Sequence, residues 1–281
     1  MRNGIQARRA PGLVVLALAA RIAVGLAVFL VIPVASATGQ LAARMSAVIQ
    51  SLGQEAGLAP VAPVRARGFS GTPAVGALFA VTGTGLGGHF CTASVVHSPH
   101  GDLVLTAAHC VSGIAPAKMV FVPGYHGGLK PYGVWPVTRV VMDPNWISSA
   151  APADDFAFLV VRSPTQRPVE KVTGGERLGV TQPSGRMVKV VGYPDGANAP
   201  IVCRNRARRF SPSQLEFDCG GYANGTSGSP LLANAGPSTG LGTVIGVIGG
   251  YEQGGYTDNV SYAAKFGART AALYKTAISE S

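Results

Sequence analysis

From Phe69 onward the chain is cut into short β-rich runs, and only its end carries a longer helical pattern. The runs are Ala74–Ala80, Leu103–Leu105, Met119–Val122, Val137–Val141, Ala157–Val161, Val188–Gly192 and Thr243–Ile248. Most are rich in Val, Leu, Ile and Phe, which suit a buried pleated surface. Turn formers stand between them: Pro123-Gly124, Gly127-Gly128 and Pro194-Asp195-Gly196. This frequency of short strands predicts an all-β sandwich or closed barrels. Ala268–Ser279 reads as a helix. With 47% hydrophobic and 13% charged residues, the chain is no disordered polyelectrolyte. It lacks the sustained heptads or repeats of a coiled coil or solenoid.

The first 37 residues read as an export leader. Arg2, Arg8 and Arg9 precede an apolar stretch, Gly12–Ala35, which Arg21 interrupts. Ala35-Ser36-Ala37 supplies a small-x-small cleavage signal. A retained signal anchor is the competing reading, but Arg21 near the centre of a span would cost about 2.5–3.5 kcal/mol. The expected product is therefore secreted and free of the membrane after cleavage. Residues 38–68 read as a propeptide or linker. Within them Leu41–Leu52 suggests a short amphipathic helix, and Arg65 and Arg67 offer sites to a trypsin-like activity. Four cysteines, Cys91, Cys110, Cys203 and Cys219, agree with an oxidising destination. Three pairings are possible. Pairing within each half closes two short loops, each stabilising by about 3 kcal/mol in the loop-entropy model.

Three segments carry candidate chemistry. Leu105-Thr106-Ala107-Ala108-His109-Cys110 places a histidine beside a cysteine. Asp154-Asp155-Phe156-Ala157-Phe158 places an acid directly before an apolar strand. Asn224-Gly225-Thr226-Ser227-Gly228-Ser229-Pro230 places a serine in a glycine-flanked turn, where backbone N–H groups converge. Taken singly, each has a bland reading as a core histidine, a strand-end cap and a loop.

Together they resemble the trypsin-like (chymotrypsin-fold) serine proteases. Thr106-Ala107-Ala108-His109-Cys110 matches the family's histidine motif, and Asp155-Phe156-Ala157-Phe158 its aspartate motif. Gly225-Thr226-Ser227-Gly228-Ser229-Pro230 is similar to its nucleophile motif. The order His, Asp, Ser is also the family's, whereas an α/β-hydrolase runs Ser, acid, His. The resemblance covers Phe69 to the C-terminus. It implies two packed antiparallel six-stranded β-barrels with a C-terminal helix. It also implies a catalytic triad of His109, Asp155 and Ser227, with backbone N–H groups of Gly225 and Ser227 as the oxyanion hole. The implied enzyme is a secreted serine endopeptidase, a cofactor-free monomer acting on protein or peptide substrates.

The departures from the pattern bear on specificity. Thr226 stands where the trypsin branch has an Asp that pairs with a released N-terminus, and no Ile-Val-Gly-Gly-like start is found. Ser227-Gly228-Ser229-Pro230 and Val191-Gly192-Tyr193-Pro194 look nearer the bacterial glutamyl-endopeptidase-like branch. That branch uses a pocket histidine, and Val247-Ile248-Gly249-Gly250-Tyr251 has none. By resemblance the substrate pocket involves Gly221, Gly249, Gly250 and Tyr251. Gly221 puts no acid at its base, so a neutral or apolar side chain is the expected preference. Asp218 could enter only through a loop shift.

Other classes fare worse. The formal net charge is +10, falling to +6 without the first 37 residues. The dense run Arg204, Arg206, Arg208 and Arg209 reads as a solvated loop, so no nucleic-acid partner is expected. No metal site is expected from His89, His97, His100 and His126. The alternative to an enzyme is a catalytically silent, protease-like binding module at the cell surface. Retention of all three motif residues argues against it.

Overall fold

The computed structural model describes residues 63–83 and 85–281. The predicted leader (1–37) and most of the 38–68 segment lie outside the described residues. Arg67–Gly68 form a two-residue strand, β1. Six strands follow: β2 (Val75–Thr82), β3 (Gly85–Val95), β4 (Leu103–Thr106), β5 (Met119–Pro123), β6 (Trp135–Met142) and β7 (Ala157–Val161). They close into an antiparallel barrel in the order β2-β3-β4-β7-β6-β5. After β8 (Arg177–Leu178) come β9 (Arg186–Gly192), β10 (Ile201–Arg209), β11 (Gln214–Asp218), β12 (Pro230–Ala233), β13 (Thr243–Ile248) and β14 (Val260–Lys265). These form a second antiparallel ring, β9-β10-β11-β14-β13-β12, closed where β12 pairs with β9. β8 joins β13 in parallel, and β1 pairs with the start of β10. The helices are short: α1 (Ala108–Val111), α2 (Pro144–Ser149), α3 (Val169–Thr173) and the terminal α4 (Ala268–Ser279). The two barrels and the terminal helix are those the resemblance implies.

Side-chain alternation explains why central strands read as unbroken apolar runs. Val104, Leu159 and Val161 enter the first barrel's own core with Leu78, Phe121 and Trp135. Their neighbours Leu103, Leu105, Phe158 and Val160 turn outward to meet Leu232, Val244 and Val247 of the second barrel and Leu273 of α4. A second seam joins Val75, Ala77 and Phe79 to Val191, Tyr193 and Val202. Each fully buried Leu or Phe contributes about 1.5–3 kcal/mol, so the barrels are held together by the same kind of packing that fills them. The arginine run is a strand, not a loop. On β10, Cys203 and Ala207 face the second core while Arg204, Arg206 and Arg208 face solvent. Arg208 pairs with Glu216 and Asp218 of β11, so Asp218 is engaged there.

The disulfides join Cys91 to Cys110 and Cys203 to Cys219. The first ties β3 to α1; the second ties β10 to the residue just after β11.

Between the barrels, Glu176 is fully buried. Its main chain bonds Val95 and His97 of the first barrel, and its Oε2 accepts from the Gly242 N–H at 2.5 Å. Oε1 has no partner among the described residues. Burial pushes its carboxyl up to about 7, against the pull of the Gly242 N–H and of Lys189. The native carboxyl is thus protonated where the unfolded one is not. Its contribution to stability is full below about pH 4.5 and is lost as pH rises through about 7. Glu176→Gln keeps an acceptor for Gly242 and removes the buried charge. Thermal unfolding between pH 5 and 8 should show a parent whose Tm declines with pH and a variant in which that decline is flattened.

Candidate active site

His109 sits in α1, one turn beyond β4, with its neighbour Cys110 locked to Cys91. Asp155 follows a 3-10 turn at Pro152–Asp154 and immediately precedes Phe156 and β7. Pairing of β4 with β7, Thr106 opposite Ala157, brings the two loops to one end of the first barrel. Asp155 is fully buried and accepts three N–H bonds. The His109 main-chain N–H meets Oδ1 at 2.9 Å, and His109 Nδ1 meets Oδ2 at 2.7 Å. The third donor, Gly250 N–H at 2.7 Å, comes from the second barrel. Three donors offset the desolvation of a buried carboxyl. With Nδ1–H given to Asp155, the imidazole presents Nε2 as the free base.

Asp154 faces elsewhere. It is buried and pairs with Arg269 of α4 at 2.5 Å, which pins the terminal helix to the acid loop. Gln214, also buried, bridges from the other side: Nε2 donates to the Pro152 carbonyl and Oε1 accepts from the Tyr251 N–H.

Ser227 lies in the turn before β12. Gly225 (φ +87°) and Gly228 (φ +82°) adopt left-handed backbone that favours glycine. A Cβ on Gly225 would collide with Asp195 and the Tyr193 carbonyl; one on Gly228 would collide with Thr92 and Thr106. Within this turn the N–H groups of Thr226, Gly228 and Ser229 donate to Ala223, Ile248 and Thr226. Among the described residues, those of Gly225 and Ser227 donate to no protein acceptor. Ser227 and His109 line one groove of about 480 Å³, with Asp195, Asn224 and Gly225. Among the described residues, no hydrogen bond joins the two side chains. A smaller pocket of about 190 Å³ adjoins the groove at Ser227, lined by Tyr222–Asn224, Ile248 and Gln253–Asp258.

Gly221, Gly249, Gly250 and Tyr251 do not line this pocket. Gly249 N–H donates to the Tyr262 carbonyl and Gly250 N–H to Asp155, so both donors are engaged within the protein. Tyr251 stacks on Phe210 and Tyr262. Gly221 N–H is held by the Asp258 carbonyl. The wall comes instead from the next turn. There Glu252 (φ 52°) and Gln253 (φ 51°) are both left-handed, at about 1–2 kcal/mol each for non-glycine residues. For metals, Cys91, Cys110 and His109 are the one close group of possible ligands among the described residues, and both sulfurs are bonded to each other.

No motif pointed to Thr92, a buried β3 residue that grips the nucleophile turn. Its N–H donates to the Ser227 carbonyl, its Oγ1 donates to the Gly225 carbonyl at 3.1 Å, and the same oxygen accepts from Tyr193 N–H at 2.9 Å. Thr92→Val keeps the shape and leaves the Tyr193 N–H and the Gly225 carbonyl without this partner. Urea unfolding should show a loss of roughly 1–3 kcal/mol, accompanied by slower reaction of Ser227 with an acyl or phosphonyl probe.

The comparisons agree with this geometry. The trypsin family model matches residues 69–268. The protease Anisep from Arthrobacter nicotinovorans is similar in structure, with a TM-score of 0.64 and 23% identity over 76% of this chain and 99% of that one. So is the thermostable serine protease AL20 from an extremophilic microorganism, at TM-score 0.63 and 25% identity over 75% and 99%. A Glu endopeptidase shares the fold at TM-score 0.60 and 18% identity, over 78% and 99%. A match across most of the chain, on two barrels that meet at the buried Asp155 carboxyl bonded to His109, places this chain in the trypsin family of serine endopeptidases.

Proposed function

We propose that this protein is a secreted endopeptidase that hydrolyses peptide bonds through an acyl-enzyme on Ser227. The observation that carries the reading is His109, doubly bonded to the buried Asp155 and lining one groove with Ser227. His109 Nε2 takes the Ser227 proton as Oγ attacks the scissile carbonyl carbon. The resulting imidazolium is stabilised by Asp155. The oxyanion is received by the N–H groups of Gly225 and Ser227, whose freedom from protein acceptors supports that role. Losing one such donor costs about 2.7–4 kcal/mol of transition-state stabilisation. The C–N bond then breaks and His109 gives its proton to the leaving amine. Water adds to the acyl-enzyme with His109 again as base, the ester C–O bond breaks, and the proton returns to Ser227.

Export is supported by the leader and by two disulfides, which fit an oxidising compartment. No helix among the described residues is long and apolar enough to cross a membrane. The test is fluorophosphonate labelling of the secreted protein beside Ser227→Ala, read by intact mass. The parent should gain one probe mass and the variant none, with peptide hydrolysis falling by roughly six orders of magnitude. The parent mass should also lack residues 1–37. An unlabelled, folded parent would refute the nucleophile assignment.

A further inference from the structure

The turn that carries Ser227 contains the only Asn-Gly step beyond the first 37 residues, Asn224-Gly225. Thr226 N–H donates to the Ala223 carbonyl, so these two residues form the corner of the turn. Asn224 is exposed, and among the described residues its carboxamide forms no hydrogen bond. Three other asparagines are held in place. Asn198 accepts from Tyr125, Asn234 accepts from Arg186, and Asn205 donates to the Asp218 carbonyl. Asn145 and Asn259 precede Trp146 and Val260, whose side chains crowd the following amide.

The peptide group between Asn224 and Gly225 is set up to react. Its carbonyl accepts from the Asp195 N–H at 2.7 Å, which polarises the amide and makes its own N–H more acidic. That N–H donates to no protein acceptor among the described residues. No side chain on residue 225 shields the nitrogen. Both residues line the groove beside Ser227, which opens them to water.

We infer that Asn224-Gly225 is a self-modification site, at which the Gly225 nitrogen attacks the Asn224 carboxamide and the oxyanion donor is lost. The N–Cγ bond forms, the Cγ–Nδ2 bond breaks, and the amide proton leaves with that nitrogen as ammonia. The product is a cyclic imide whose nitrogen carries no hydrogen. Water then opens the ring at either carbonyl. Breaking the N–Cγ bond restores the main chain with Asp at 224. Breaking the original peptide bond leaves isoaspartate, with an extra methylene in the main chain. That methylene displaces Gly225, which already lies against Asp195 and the Tyr193 carbonyl. The modification itself needs nothing from Ser227. Its effect on activity rests on the proposed oxyanion role of Gly225. The free N–H that serves hydrolysis thus also limits the working life of the enzyme.

The test ages the secreted protein and its Ser227→Ala variant, which should not digest itself, at pH 6 and pH 8. Peptide mapping and enzymatic methylation of isoaspartate read the products at each asparagine. Asn224 should be modified ahead of Asn198 and Asn234 in the same molecule. It should react faster at pH 8, where the amide nitrogen loses its proton more readily. Hydrolysis of a fixed peptide should fall in step, with the imide and isoaspartyl forms slower by about 10²–10³-fold in kcat. Asn224→Gln, whose ring would be larger and closes less readily, should keep its own starting activity over the same period. A fluorophosphonate on Ser227, whose oxygen engages the Gly225 N–H, should slow the modification in the parent. Modification at Asn224 no faster than at Asn198 and Asn234 overturns the inference, as does modification that leaves hydrolysis unchanged. The parent's own time course decides the matter if Asn224→Gln fails to fold. A parent that neither labels nor cleaves overturns the endopeptidase reading and the link to activity, while the Ser227→Ala protein still decides the modification.

Discussion

The Asp155 carboxyl is the point on which the two barrels agree. It is fully buried, and its three donors come from both sides: two from His109 of the first barrel and one from Gly250 of the second. Burying such a group without those partners would cost several kcal/mol. The imidazole's orientation is therefore tied to the correct docking of the halves. Gln214 and Arg269 reinforce the same loop from the second barrel and the terminal helix. The geometry of the His109–Asp155 pair is a product of inter-barrel packing, held by the seams of Leu, Val and Phe beneath it.

Much of this architecture was legible in the sequence because burial leaves a simple record. β4, β5, β7 and most of β2 are covered on both faces, are apolar over most of their length and stand out as runs. Of the strands with a solvent face, β3 and β10 do not. β3 starts with a glycine-rich segment, and β10 alternates arginine with core residues, so its charge masks its period. The segments around His109, Asp155 and Ser227 stood out because each has a particular neighbour: a cysteine, an inward strand, a glycine turn. The helix at Ala268–Ser279 was visible for the opposite reason, as an uninterrupted stretch of good helix formers.

The pocket beside Ser227 was not legible, and the reason is geometric. Its wall depends on where the chain travels after Gly250, and that path turns on two left-handed residues, Glu252 and Gln253, which no propensity predicts. They carry the chain away from Gly249–Tyr251, whose donors serve Asp155 and the sheet, and bring Gln253–Asp258 to Ser227. Thr92 was hidden for a related reason. Three of its hydrogen bonds reach residues more than a hundred positions away, and nothing local distinguishes it from any other strand threonine.

The short strand before the first barrel has a consequence for the durability of the protein. Val64, Ala66 and Phe69 exchange main-chain bonds with Gly220 and Pro200, and Arg67–Gly68 pair with Ile201–Val202. A serine protease must draw its substrate into an extended strand of its own, which requires that the segment first leave any sheet it already belongs to. Arg65 and Arg67 are therefore withheld from attack by the pairing itself. Resistance to proteolysis along this segment becomes a matter of sheet-edge stability, and it weakens wherever that edge is allowed to fray.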